Sequence, residues 1–320
     1  MSNNTTQSDY GLHIQRIKTF HTAAVIIIAV VLVSIPVPFI ARFKSRIGGE
    51  RNELLRFWEA GAFDQVYSRS TEALIARPMD YFLLTIHGFA AYQVGISQIN
   101  AFDTSVCIDD CIRSLRKALL LRNADNDGRV YYVLGKAYTY KGDAYADLAI
   151  QYLEKARELS YSAGDIPEYL GLAYASAGDY RNSVAAFSLA LESVPLEAGE
   201  AARPPDALLL SIARSYIALE ELDAARAYLL RCIEVSLDSN SIVAARFLLA
   251  EVFRKKGDNE GAENQYVTIL NEAGDNAEAH YQLGELYSLR GDTTMARSEW
   301  RLAYRADPVY FSKVRTRLGI

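Results

Sequence analysis

The chain has 320 residues, half of them apolar and 23% charged, which excludes wholesale disorder and calls for a stable core. Its net charge of −5 argues against a nucleic-acid partner, because a phosphate-binding surface needs clustered Lys and Arg. Three cysteines, Cys107, Cys111 and Cys232, cannot all pair within one chain and are too few to staple a small secreted fold.

Residues 1–18 read as a polar tail. From Thr19 to Ala41 there is no Asp, Glu, Lys or Arg, and the run from Ala23 to Val33 is solidly apolar. At about 1.5 Å per residue the stretch spans roughly 35 Å, enough for a hydrocarbon core of about 30 Å, so a single transmembrane helix is predicted over 19–41. Pro36 and Pro38 should break or kink its last turn. The rival reading, a cleavable signal peptide, lacks its cleavage signature: Phe39-Ile40-Ala41 puts a large residue where a small one is needed. Arg16 and Lys18 precede the span, whereas Arg42, Lys44, Arg46, Arg51 and Arg56 follow it. That bias points the C-terminal domain to the cytoplasm.

Beyond residue 47 one phrase recurs: Leu134-Gly135-x-x-Tyr138-x-x-x-Gly142-Asp143, then Leu170-Gly171 to Gly178-Asp179, then Leu283-Gly284 to Gly291-Asp292. Degenerate copies stand at Leu249 to Asp258, at Ile212 to Glu220, around His87-Gly88 and Gly95, and around Phe57 and Gly61. Measured between the turn positions 61, 95, 142, 178, 220, 257 and 291, the steps are 34, 47, 36, 42, 37 and 34. Such a period signals a repeat architecture. The small residue at 135, 171 or 284 lets a second helix approach closely, and the tyrosine one turn later fills the wedge. Gly142, Gly178, Gly257 and Gly291 suit left-handed helix ends, and the Asp that follows can cap the next helix. The second helix carries a stripe of its own, Ser183, Phe187, Ala190 and Pro195 in one unit and Ala296, Trp300, Ala303 and Pro308 in another. One hairpin cannot bury such a stripe alone, so the units must stack.

These residues resemble the tetratricopeptide repeat family. The resemblance covers residues 47 to 308 and implies an all-α solenoid of about seven helical hairpins preceded by the transmembrane helix, with a short C-terminal capping helix inside a 47–320 domain. It is most specific for the third, fourth and seventh units; in the fifth, Glu220 replaces the turn glycine. About eleven extra residues at 96–106 are expected to lengthen the turn of the second unit, and about eight at 197–205 to separate the fourth from the fifth.

Enzymatic motifs are not found. Asn123-x-Asp125-x-Asp127-Gly128 starts like a calcium-binding loop, but Leu134 stands at its twelfth position, so a turn and helix cap is expected. The four histidines lack metal-ligand spacing, and no phosphate loop or nucleophile elbow occurs. Cys107 and Cys111 stand four apart and read as buried small hydrophobes or half of a metal or redox site. No catalytic residue, cofactor, metal or small-molecule substrate is therefore expected.

The resemblance implies a protein-binding concave face built from first-helix residues: Phe82, Phe89 and Tyr92; Arg129, Tyr132, Lys136 and Tyr140; Arg214; Phe247, Arg254 and Lys255. Aromatics mixed with cations suit a peptide segment or helix carrying acidic residues. It further implies a scaffold or assembly factor of an envelope complex, such as a flagellar-motor collar, anchored in a bacterial inner membrane with its repeats in the periplasm. The alternative is a chaperone-like factor that holds exported or membrane clients.

Overall fold

A computed structural model describes residues 49–98, 100–121, 126–193 and 204–319. The segment expected to cross the membrane, 19–41, lies outside them, as do Asn123, Asp125 and most of the 197–205 insertion. Among the described residues there are fifteen α-helices and no strand, and no helix is long and apolar enough to cross a membrane.

The chain forms two compact units, divided between Ala177 and Gly178. The first contains α1 (Gly49–Glu59), α2 (Phe63–Ala76), α3 (Tyr81–Ser97), α4 (Ala101–Leu119), α5 (Gly128–Lys141), α6 (Ala146–Glu158) and α7 (Ile166–Ser176). The second contains α8 (Tyr180–Glu192), α9 (Asp206–Ala218), α10 (Leu222–Val235), α11 (Ser239–Lys255), α12 (Asn259–Ala273), α13 (Ala277–Leu289), α14 (Thr293–Ala306) and α15 (Phe311–Leu318). In each unit, helices consecutive in sequence pack against one another.

Small residues set the close approaches. A Cβ added at Gly135 would stand 2.5 Å from Leu153 Cγ, and one at Gly284 would stand 2.4 Å from Trp300 Cδ1. Gly88, the degenerate copy, meets Leu115 Cδ2 at 2.5 Å, so three hairpins cross in the same way. The tyrosine wedge is also present: Tyr138 is buried and stacks on Tyr152 with ring planes 4° apart. The stripe residues Ser183, Phe187, Ala296, Trp300 and Ala303 are all buried.

The turns follow the expected chemistry. Gly61, Gly142, Gly178, Gly257 and Gly291 all have positive φ, and Glu220 takes φ +60° in the fifth unit with a side chain that disfavours it. Asp179, Asp258 and Asp292 then accept from the backbone N–H of Asn182, Gly261 and Met295 as helix caps. After Gly142 the chain instead makes a 3-10 turn, Asp143–Tyr145, before α6.

One expectation fails. The extra residues at 96–106 do not make a loop, because α3 runs through Gly95 to Ser97 and α4 starts at Ala101, capped by the Asn100 side chain. Gly95 is a crossing residue and not a turn: a Cβ there would lie 3.1 Å from Cys107 Cβ. The cause is packing, since α3 is buried on nearly every side and the contacts it gains outweigh the weak helix propensity of one glycine. Cys107, Cys111 and Cys232 are free and buried, and burial pushes the Cys232 thiol up to about 12.

Candidate protein-binding face

In unit 1 the first helices of successive hairpins, α1, α3, α5 and α7, are joined by a chain of contacts to aspartates at helix starts. Arg51 Nη2 donates to Asp80 at 2.8 Å, Tyr81 OH to Asp127 at 2.9 Å, and Tyr132 OH to Asp165 at 2.6 Å. Asp80 and Asp127 also cap α3 and α5, through the N–H groups of Leu83 and Arg129. Asp165, at the start of α7, gives its carboxylate to Tyr132 and Lys136 and leaves that helix without a side-chain cap.

Lys136 is the centre of this face. It is 4% exposed, with Nζ 2.8 Å from Asp165 Oδ2 and 2.9 Å from the Tyr132 hydroxyl. The same ammonium faces the rings of Tyr169 at 4.4 Å, Tyr132 at 4.9 Å and Tyr92 at 5.5 Å. Burial alone would lower its pKa, but Asp165 and Tyr132 outweigh it and hold Lys136 above the ordinary lysine value. Burial likewise pushes the phenols of Tyr92, Tyr132, Tyr140 and Tyr169 upward. Arg129 is bidentate on Asp127, at 2.8 and 2.6 Å.

Unit 1 thus spends the cations expected to meet a partner. Arg129 and Lys136 are ion-paired within the fold, while Tyr92, Tyr132 and Phe82 are buried, Phe82 beneath the Arg51 guanidinium at 5.1 Å. Phe89 and Tyr140 are half-buried, Phe89 against Trp58 and Tyr140 edge-on to Tyr92. The burial has a physical reason: a long cationic side chain on a face between two packed helices is covered by its neighbours, and once covered it needs a counter-ion. Asp165 and Glu168 were not foreseen on this face, although each stands 36 positions after Arg129 and Tyr132, the step of that unit.

Unit 2 differs. Arg214 on α9 is exposed, as are Arg254 and Lys255 on the last turn of α11, and Arg254 donates to Gln282 on α13 at 3.1 Å. Phe247 is half-buried and packs on Tyr266. On α13, Glu278 accepts from Tyr310 and Glu285 from Arg317, so the terminal helix α15 and the turn before it cover those carboxylates.

A second polar cluster lies between α2, α3 and α4. Ser70 Oγ is 2.9 Å from His87 Nδ1, and His87 Nε2 is 3.1 Å from Asp110, which also accepts from Tyr67 OH. The order imitates a hydrolytic triad, but Ser70 is fully buried, which gives a substrate no route to its hydroxyl. Every polar atom of the trio is paired, as a buried network requires.

Stacked antiparallel hairpins with small-residue crossings, tyrosine wedges and positive-φ turns define a helical-repeat protein. Residues 207–239, the hairpin in which Glu220 replaces the glycine, match the family model for the tetratricopeptide repeat. Among solved structures, the C-terminal part of a repeat-containing protein of this type from Cytophaga hutchinsonii superposes with a TM-score of 0.56 over 81% of this chain and 95% of that one, at 11% identity, which is a likeness of fold. Two more distant ones are YrrB, with TM-score 0.44, 19% identity and coverage of 64% and 99%, and the pilus biogenesis factor PilW, with 0.48, 13%, 70% and 91%. No curated protein matches the chain.

Proposed function

We propose that this chain is a membrane-anchored scaffold on which other proteins assemble, with the uncharged stretch 19–41 as its bilayer span. The observation that carries the reading is the first-helix face of α9 and α11, where Arg214, Arg254 and Lys255 stay exposed while Phe247 remains within reach of a ligand. Cations beside an aromatic ring suit an acidic peptide or helix of a partner. The acidic preference belongs to unit 2, since unit 1 has spent Arg129 and Lys136 internally. An envelope complex, such as a flagellar-motor collar, is the setting in which an anchored helical-repeat scaffold serves. The charge bias around the span favours repeats in the cytoplasm, and the layout of anchored tetratricopeptide proteins favours the periplasm.

Crosslinking in native membranes, followed by mass spectrometry of the full chain, tests the reading. A stoichiometric partner whose capture falls in Arg254→Glu supports it. Transient crosslinks to many unrelated clients would favour a chaperone, and release of the chain by alkaline carbonate would remove the anchor. Because the native cysteines are buried, the side of the membrane is best read from Leu237→Cys, a position 82% exposed, with an impermeant thiol reagent.

A further inference from the structure

The charges on the first-helix face of unit 1 do not balance. Asp127 is matched by Arg129 at 2.6 Å and Asp165 by Lys136 at 2.8 Å. Glu168, in the first turn of α7, is half-buried and makes no hydrogen bond or ion pair among the described residues. Burial, then repulsion from Asp165, pushes its carboxyl above the ordinary range, and Lys136 offsets this only in part. An uncompensated carboxylate in such a place is costly, and an incoming cation would relieve the cost.

The surroundings already hold one ammonium. Lys136 occupies a cage of Tyr92, Tyr132 and Tyr169, so the tyrosines of this face are spaced to take a cation. Tyr169, one wall of that cage, and Tyr140, whose hydroxyl meets that of Tyr169, are both half-buried, so part of each side chain is open to solvent.

We propose that this face takes a lysine or arginine side chain of a partner protein, its cation set against the Glu168 carboxylate and the Tyr140 and Tyr169 rings. The inference rests on the scaffold reading for the existence of a partner and adds its chemistry: a basic residue at unit 1, in contrast to the acidic segment at unit 2.

The test uses the full chain and fluorescent nonapeptides that differ only in carrying lysine, arginine or norleucine at the central position. The expected result is that the lysine and arginine peptides bind about tenfold more tightly than the norleucine one, the worth of one charge-assisted contact, and that Glu168→Gln removes the difference. The preference should weaken with added salt. Equal binding of the three peptides, or an unchanged preference in Glu168→Gln, overturns the proposal. Should that variant lose helicity, the comparison of lysine with norleucine on the unaltered chain decides by itself. Partners still crosslinked in native membranes with no preference for basic peptides would sink the cation site alone; absence of any crosslinked partner would sink the scaffold.

Discussion

The Tyr287 hydroxyl donates to Glu263 Oε1 across 2.8 Å, tying the first helix of the last hairpin to the second helix of the hairpin before it. Tyr174 makes the same kind of bond to Glu154, at 2.9 Å, in unit 1. Between the fifth and sixth hairpins the aromatic residue is Phe253, which has no hydroxyl, and the guanidinium of Arg226 lies 5.6 Å from its ring centroid. Arg226 and Glu263 are each the fifth residue of their helices, so one junction is built in two ways according to the aromatic partner. Tyr287→Phe should cost about 1 kcal/mol, the worth of a partly exposed hydrogen bond to a charged group. The urea midpoint of the variant against that of the parent chain checks this, and an unchanged midpoint would show that the bond contributes nothing to stability.

Two backbone positions should respond in opposite directions. Glu220 occupies φ +60°, where a side chain costs about 1–2 kcal/mol, so Glu220→Gly should stabilise unit 2 by about 0.5–1 kcal/mol once the extra freedom of glycine in the unfolded chain is deducted. Gly284→Ala should destabilise it by about 1–3 kcal/mol, because the new methyl meets Trp300 at 2.4 Å and overpacking exceeds the gain in helix propensity. Thermal melts followed by circular dichroism separate the two, and a rise in melting temperature for Gly284→Ala would contradict the close crossing.

Lys136 reads in sequence as a contact for a partner and in structure as an internal tie. Lys136→Met leaves Asp165 and Tyr132 without their ammonium, which should cost about 2–3 kcal/mol, the low end for a buried pair because Asp165 is 27% exposed. Lys136→Glu, which adds a carboxylate among Asp165 and Glu168, should prevent unit 1 from folding. Pairing Lys136→Met with Asp165→Asn should recover much of the loss. A Lys136→Met variant of unchanged stability that had lost partner capture would return the residue to the binding role.

The hairpin architecture was legible because its signals are local and backbone-directed: a glycine at a crossing, a tyrosine one turn on, and a positive-φ turn carry the same meaning in every copy. Gly95 misled for the same reason, since a glycine in a repeat reads as a turn until the burial of its helix is known. The binding face was less legible. Whether Lys136 or Arg254 is buried depends on what the next hairpin presents, and Asp165, which covers Lys136, lies 29 residues away. No signal in the Lys136 helix itself distinguishes the buried cation from the exposed one.

Acid should act on this protein through two carboxylate classes of opposite sign. Asp110 is held below its ordinary 3.8 by the hydrogen bond from His87 first, against the opposing effect of burial. Asp127 is also held low, the bonds from Arg129 outweighing burial. A carboxylate whose folded pKa is depressed contributes stability that is fully present above the unfolded value and is lost as pH falls through the folded one. Asp110→Asn should therefore lower stability at neutral pH and flatten its decline below about pH 4. Glu168 has the reverse sign: its folded pKa lies above its ordinary 4.5, so the folded state binds this proton more readily and the group costs stability once pH rises through that folded value. Glu168→Gln should raise the melting temperature of unit 1 at pH 7 and leave it nearly unchanged at pH 4. Stability lost at pH 7 in Glu168→Gln would mean that the carboxylate already has a partner within the fold, and would remove the reason for a cation to bind there.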